Sequence, residues 1–272
     1  MPSKYDWSEE KITRFQNEGR GLGLGLDYRS WLTVHDLSSS GLSRRAPSRT
    51  CGRVHHLLSQ VEYDFFLMLD WSADVVDIRE QFPLDRTLTR ATAAALGLRH
   101  PRYPRTKIDC VMTVDFLVDL RTRDSTVVRA YDCKVSDELN KKSSISKLEI
   151  TRAALESLGI EHHLIIDTKL PTRAIENIKS IGLAQESFEG DEELPDDIET
   201  SLARLLGSLR SAHPNDSLRQ HCADYDVQYR NESGTGIRLA KILMLRRSIA
   251  APLANKSMLD CPIAAFIKKD GD

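Results

Sequence analysis

Three charged residues of a predicted β-hairpin have the types and the spacing of a hydrolytic metal site. Asp115 lies near the start of the first strand, residues 113–120, and Asp132 and Lys134 lie at the end of the second, residues 126–135. Because side chains alternate along a strand, Asp132 and Lys134 share a face. A short turn between the strands brings Asp115 opposite that end of the second strand. Two carboxylates and an ammonium group therefore converge at one end of a small sheet.

Burying such a cluster is costly unless its charge is compensated. A divalent metal would compensate it, since Asp115 and Asp132 offer the hard oxygen ligands that Mg²⁺ prefers. Lys134 would hold a nucleophilic water or neutralise charge that develops on a phosphate. An ordinary solvated hairpin with a surface Asp–Lys pair is the alternative that the hairpin alone leaves open.

A third acid, Glu62, comes from a helix predicted over residues 54–71. The apolar residues of this helix recur at helical spacing and predict a buried stripe: Leu57, Leu58, Val61, Phe65, Met68 and Leu69. Glu62 lies beside the stripe, where an acid needs a partner. A metal site is one option and a carboxylate that reaches the surface is the other. His55 and His56 open the helix, and their adjacent positions point them apart, which argues against a shared metal.

The predicted elements around the hairpin alternate between helices and strands. Helices are predicted over residues 8–19, 86–98, 137–159 and 171–182, and strands over residues 30–36, 74–83 and 162–167. This order predicts an α/β core with a mixed sheet. The glycine-leucine run of residues 19–26 lacks the following Lys-Ser/Thr of a phosphate loop and is interpreted as a connector.

A polar stretch rich in serine and arginine, residues 38–53, precedes the helix of Glu62. Arginines in a long loop next to a candidate site suit contacts to DNA phosphates, and for the stretch as a whole we favour nucleic acid over a merely solvated loop. The candidate DNA-binding residues here and at the start of the helix are Arg44, Arg45, Arg53, His55 and His56.

Composition bounds the class of protein. With 272 residues, 40% hydrophobic and 29% charged, the chain is typical of a globular protein that buries a sizeable core. Its net charge of −2 conceals basic patches before the hairpin and an acidic run near residues 186–199. The five cysteines are scattered without a Cys-x-x-Cys pair, which argues against a zinc knuckle or a disulfide framework and favours a reducing cytoplasm. No apolar stretch approaches membrane-spanning length, so no membrane partner is expected.

The acidic stretch of about residues 183–197 contains Gly and Pro, a linker composition that predicts a boundary between domains 1–182 and 183–272. Beyond it, helices are predicted over residues 196–212, 214–223 and 234–247, and short strands over residues 248–268. Three helices and a small strand pair suit a winged-helix-like module that binds DNA or protein.

Taken together, Glu62 on a helix, Asp115 on a strand and Asp132-x-Lys134 on the next strand resemble the restriction-endonuclease-like nuclease core. Flanking segments are similar to the TnsA family over most of residues 8–170: Gly-Arg-Val-His-His-Leu-Leu-Ser (52–59), Asp-Ile-Arg-Glu-Gln-Phe-Pro-Leu (77–84) and Asp-Phe-Leu-Val-Asp (115–119). Members of that family are the endonuclease subunits of heteromeric cut-and-paste transposases.

The resemblance implies catalytic roles for Glu62, Asp115 and Lys134. It also implies a site for two Mg²⁺ ions, which Mn²⁺ can replace, with ligands from Glu62, Asp115, Asp132 and the main-chain carbonyl of Cys133. The family site can have Gln where this sequence has Asp132. Glu149, on the following predicted helix, is a weaker candidate for a residue of this site.

The resemblance further implies that the chain cuts the 5′ ends of a transposon. A TnsB-like DDE transposase subunit would act on the 3′ ends, and a TnsC-like AAA ATPase regulator would activate both. The C-terminal domain would contact these partners in a bacterial cytoplasm, associated with the nucleoid when active. Two alternatives stay open: a stand-alone restriction or repair-type endonuclease, and a catalytically inactive DNA-binding regulator.

Overall fold

A computed structural model describes residues 7–36, 43–190 and 198–267, with residues 185–190 described by their backbone alone. Clustering of contacts divides the chain into two units, Met1–Leu170 and Pro171–Asp272. The strands of the first unit are β1 (Arg44–Pro47), β2 (Val54–Leu57), β3 (Val75–Pro83), β4 (Thr113–Arg121), β5 (Thr126–Lys134) and β6 (Glu161–Ile166). Its helices are α1 (Glu9–Asn17), α2 (Gln60–Trp71), α3 (Arg86–Ala95) and α4 (Lys142–Ser157). The second unit has helices α5 (Thr172–Gly190), α6 (Ile198–Ser211), α7 (Leu218–Tyr229) and α8 (Thr235–Leu245).

A four-stranded sheet in the order β3-β4-β5-β6 forms the centre of the first unit. β3, β4 and β5 are antiparallel neighbours, whereas β6 runs parallel to β5, so the sheet is mixed, as predicted. The predicted hairpin is confirmed, since β4 and β5 pair from Arg121↔Thr126 to Phe116↔Tyr131. The parallel β5–β6 pair needs a crossover connection, and α4 supplies it.

Helices α2 and α4 cover opposite faces of this sheet. Val118 packs in a cluster with Phe65 of α2, whereas its neighbour Leu117 packs in another cluster with Leu155 of α4. Consecutive strand residues point to opposite faces, which explains the division. The α2 side of the sheet holds a fully buried group: Leu57, Phe66, Ile78 and Phe116. Burial of each such side chain contributes about 1.5–3 kcal/mol.

The helix that carries Glu62 is shorter than predicted. It begins after Ser59, whose Oγ accepts a hydrogen bond from the backbone N of Glu62 at 3.1 Å. The residues before this N-cap form β2, which pairs with β1 in a separate two-stranded sheet. His55 and His56 therefore lie on a strand, not on a helix. Part of the predicted loop 38–53 is likewise strand β1, and residues 37–42 lie outside the described ranges.

The strand predicted over residues 30–36 is not formed. Oδ2 of Asp36 accepts hydrogen bonds from the backbone N and from Oγ1 of Thr33, at 3.0 and 2.6 Å, and closes a turn. Short polar side chains of this kind offer the backbone an alternative to a ladder.

The domain boundary lies earlier than predicted, between Leu170 and Pro171. Helix α5 continues through residues 183–190, which were expected to be linker, and residues 191–197 lie outside the described ranges. α5 belongs to the second unit because it packs against α8. Eight of the 11 residues of α8 are buried, so this helix is the core of the unit.

The short strands predicted over residues 248–268 are absent from the described part of that stretch, which ends at residue 267. Two 3₁₀ turns, Met258–Asp260 and Ile263–Ala265, stand there with an isolated bridge between Ser217 and Pro262. Pro252 and Pro262 lack the N–H that a ladder needs. The winged-helix assignment is thus not confirmed. In the described part of the chain, no helix is long and apolar enough to span a membrane.

Candidate active site

Local hydrogen bonds fix Glu62 in the first turn of α2. Ser59 caps the helix, and Oε2 of Glu62 turns back to accept a hydrogen bond from the backbone N of Leu58 at 2.8 Å. This is a variant of the Ser-x-x-Glu capping box, in which the acid satisfies a donor before the helix. Glu62 is only 5% exposed. These local contacts therefore hold the carboxylate of Glu62 inward, towards the sheet.

Asp115 joins both strands of the hairpin. Its Oδ2 accepts a hydrogen bond from the backbone N of Cys133 at 2.7 Å and another from Nζ of Lys134 at 3.1 Å. Nζ of Lys134 also donates to the carbonyl of Cys133 at 2.9 Å. Asp115 is 9% exposed. The expected meeting of Asp115 and Lys134 at one end of the hairpin is thus observed.

Gln81 of β3 connects the two acids. Its Nε2 lies 3.4 Å from Oε2 of Glu62 and 3.3 Å from Oδ1 of Asp115. No role was predicted for Gln81. The signal that could have revealed it is the polar run Arg79-Glu80-Gln81 inside a strand whose other residues are largely apolar. Glu62, Asp115 and Lys134 thus form one site, with Gln81 between the acids.

The charges of this site are unbalanced. Burial and the repulsion of Asp115 raise the pKa of Glu62 to about 8. Burial also raises the pKa of Asp115, against the attraction of Lys134. Burial disfavours the charged form of Lys134, but Asp115 and Asp132 outweigh that effect, and the pKa of Lys134 is raised. Two acids that lack sufficient positive charge, next to a main-chain carbonyl, form a donor set of the chemistry that a hard divalent cation binds.

Asp132, the other expected carboxylate ligand, has a side-chain partner on the neighbouring strand. Its Oδ2 lies 2.9 Å from Nε2 of His162, and both side chains are buried. Over the described ranges, no group of three or more His, Cys, Asp or Glu side chains is gathered closely enough to hold a metal ion. Hydrogen bonds through Gln81 and Lys134 connect three oxygen donors: Glu62, Asp115 and the carbonyl of Cys133. Glu149 pairs with Arg152 on the exposed side of α4 and lies apart from them.

Two of the candidate DNA-binding residues face inward. Arg53 donates from Nη1 and Nη2 to the two carboxylate oxygens of Glu80, at 3.0 and 2.6 Å. Nδ1 of His55 lies 2.8 Å from Oε2 of the same acid, and His55 is 0% exposed. His55 therefore has no surface for DNA, contrary to the prediction. The expected DNA role of Arg53 competes with its pairing to Glu80.

The other three candidates remain accessible. Arg44 and Arg45 are exposed on β1, and the guanidinium carbon of Arg44 lies 4.7 Å from the centre of the Tyr63 ring. His56 is half-buried, and burial lowers its pKa, so it is uncharged at neutral pH. These three residues lie on the pair of strands β1 and β2, and Arg53 lies in the turn that joins them, just before β2.

Comparisons with known proteins identify the family of this chain. Residues 72–167 match a family model described as TnsA-like endonuclease N terminal, a range that includes β3 to β6 and hence Gln81, Asp115 and Lys134. The chain is also 35% identical over 228 residues to the Transposon Tn7 transposition protein TnsA of Escherichia coli. That match covers 84% of this chain and 80% of the relative. The chain therefore belongs to the TnsA family of transposase endonuclease subunits.

Proposed function

We propose that this chain is the metal-dependent endonuclease subunit of a heteromeric transposase and hydrolyses the phosphodiester at the 5′ ends of the transposon. The observation that carries the proposal is the site of Glu62, Asp115 and Lys134, which is buried and deficient in positive charge. Asp115 and Lys134 lie in the segment that matches the TnsA-like endonuclease model, and Glu62 lies before it.

Glu62, Asp115 and the carbonyl of Cys133 would hold Mg²⁺, and Mn²⁺ could replace it. Bound there, the metal would stabilise charge on the attacking and leaving oxygens of the phosphodiester, and two ions would serve both oxygens. Mg²⁺ takes six oxygen ligands and keeps several waters. Two carboxylates and one carbonyl would leave about half of the positions of one ion to water and to the DNA phosphate. Asp132 would be a further ligand through Oδ1, while His162 holds its Oδ2.

Lys134 acts as a cation and a donor, not as a base. Its raised pKa keeps the ammonium group charged at neutral pH. Asp115 and the Cys133 carbonyl fix Nζ with two hydrogen bonds, which leaves one N–H for a water or a phosphate oxygen. Fixed charge aimed at a developing negative charge lowers the barrier without rearrangement.

DNA is the substrate in this proposal, and Arg44, Arg45 and His56 are its candidate contacts outside the metal site. The further partners would be a TnsB-like DDE subunit, which cuts the 3′ ends, and a TnsC-like AAA ATPase. The place of action would then be the bacterial nucleoid within the cytoplasm.

The substitution Asp115→Ala tests the proposal in a reaction that contains both partner proteins and DNA with transposon ends. We expect loss of 5′-strand cleavage and unchanged 3′-strand cleavage, both measured by primer extension, because only the metal site of this subunit is damaged. Lys134→Ala should have the same effect. Asp124→Ala, in the exposed turn between β4 and β5, is the matched control and should cut normally.

Normal 5′ cleavage by Asp115→Ala would refute the proposal. Cleavage by the wild-type chain without partners would favour a stand-alone nuclease. Absence of Mn²⁺ binding to the wild-type chain in calorimetry would favour an inactive DNA-binding regulator.

A further inference from the structure

Gln81 occupies the place between the two acids where positive charge is needed. A primary amide has two N–H donors, so that Nε2 can donate to Glu62 and to Asp115 at the same time. The distances of 3.4 and 3.3 Å are at the long end for hydrogen bonds, as expected when one group serves two acceptors. Gln81 is 3% exposed, so water does not compete for these contacts.

The orientation of the Gln81 amide is fixed by its other end. Oγ1 of Thr113 donates to Oε1 of Gln81 at 3.2 Å. This hydrogen bond requires the oxygen of the amide to face Thr113 and the nitrogen to face the acids. The amide oxygen thus has a donor in Thr113, and the amide nitrogen has its acceptors in Glu62 and Asp115.

The backbone of Gln81 also departs from a regular strand. The pairs Glu80↔Phe116 and Phe82↔Val114 flank it, which places Gln81 opposite Asp115. Its φ of 49° lies in the left-handed region, which a residue with a side chain adopts at a cost of roughly 1–3 kcal/mol. Its carbonyl accepts a hydrogen bond from the backbone N of Trp31 at 3.3 Å, which anchors this conformation. Strain of this kind persists where the surroundings hold it, and here it aims the side chain at the acids.

We propose that Gln81 is a positioning residue that holds Glu62 and Asp115 together in the metal-free chain and withdraws its two donors when a divalent metal binds. The inference rests on the proposed metal-dependent function. Each hydrogen bond to a carboxylate stabilises the metal-free state and is lost on metal binding. Gln81 therefore stabilises the empty site and weakens its affinity for metal. Because DNA phosphate oxygens supply additional ligands, metal loading becomes dependent on bound DNA.

Gln81→Met tests this proposal, since methionine has a similar length and no donor. We expect a lower melting temperature for the metal-free variant. We also expect about tenfold tighter Mn²⁺ binding in calorimetry without DNA, because the competing hydrogen bonds are gone. A purely structural role would lower stability without tightening Mn²⁺ binding. Gln220→Met is the matched control, because Gln220 also donates to a carboxylate, that of Asp224, on an exposed helix. Its Mn²⁺ affinity should equal that of the wild type.

Thr113→Val gives a second, milder variant that keeps Gln81 and releases its amide. Mn²⁺ binding should tighten again, by less than in Gln81→Met. Weaker Mn²⁺ binding in Gln81→Met would mean that the amide is a metal ligand and would overturn the proposal, as would an unchanged affinity. If the wild-type chain binds no Mn²⁺ even when transposon-end DNA is present, the proposed function fails as well. If the wild-type chain binds Mn²⁺ and Gln81→Met binds it with the same affinity, only the role of Gln81 is refuted.

Discussion

Glu80 offers the sharpest prediction on stability. Its carboxylate is 0% exposed and accepts two hydrogen bonds from the guanidinium of Arg53, with His55 at 2.8 Å. Burial alone would raise the pKa of Glu80, but hydrogen bonds and charge from His55 and Arg53 outweigh it and lower the pKa to about 2. The ordinary value is 4.5. A depression from 4.5 to about 2 corresponds to about 3 kcal/mol of folding free energy.

The sign follows from the direction of the shift. The unfolded chain takes up a proton at Glu80 at a higher pH than the folded chain does. This contribution is therefore complete above pH 4.5 and is lost as the pH falls towards about 2. In Glu80→Gln the group does not titrate, and Arg53 stays buried without a counter-charge, at a cost of about 3–5 kcal/mol. The free-energy difference between wild type and variant should thus be smaller at pH 3 than at pH 7 by about 2 kcal/mol.

Urea unfolding followed by tryptophan fluorescence measures this difference. The three tryptophans, Trp7, Trp31 and Trp71, all lie in the first unit, so the signal reports the unit that contains Glu80. A loss of about 3 kcal/mol lowers the urea midpoint by roughly 1–3 M. Glu156→Gln breaks a largely exposed pair with Arg152 and should cost less than about 1 kcal/mol. An equal difference at pH 7 and pH 3, or one no larger than that of Glu156→Gln, would refute the reasoning.

Two further predictions concern the glycine-leucine run and the surface arginines. Gly23 has a φ of 92°, and an added Cβ would lie 2.5 Å from the carbonyl oxygen of Asp27, whereas Gly25 has a φ of 52° and open space around it. Gly23→Ala should therefore lower the free energy of unfolding, measured in urea, clearly more than Gly25→Ala does. For Gly25→Ala only backbone strain of about 1 kcal/mol applies. Equal losses in the two variants would contradict this. Arg45→Ala should weaken DNA binding for all sequences alike and reduce the slope of log K against log salt by about 1, measured by fluorescence anisotropy, because an exposed arginine contacts phosphates rather than bases. An unchanged slope would remove Arg45 from the DNA surface.

The hairpin and its acid–lysine contact could be predicted from sequence because both depend on local information. Period-two alternation identifies the strands, and a short turn sets Asp115 opposite the Asp132–Lys134 end. Apolar spacing does not give the start of α2, because Val54–Leu57 suits a strand as well as a helix and pairs with the preceding strand β1. The capping signal Ser59-x-x-Glu62 marks the observed start.

The contacts that were missed join residues far apart in the sequence. Arg53 reaches Glu80 across 27 residues, and Gln81 reaches Asp115 across 34. A pattern shows that a polar residue lies in a strand, but not which distant group satisfies it. The same limit applies to Asp132, whose partner His162 comes from the next parallel strand. The strands predicted near the C-terminus failed for a local reason, since Pro252 and Pro262 interrupt any ladder there.

Two buried acids in the first unit show what distinguishes a structural charge from one kept for an exchangeable partner. Glu80 and Glu62 are both almost fully buried, yet the pKa of Glu80 is lowered to about 2 and that of Glu62 is raised to about 8. The difference lies in their partners, because Glu80 has a permanent cation, Arg53, whereas Glu62 shares the neutral amide of Gln81 with a second acid. If Glu62 served stability alone, an arginine like that of Glu80 would serve it better than an amide. An amide satisfies hydrogen bonds without supplying a cation, so the positive charge that the two acids lack can come from a removable divalent cation.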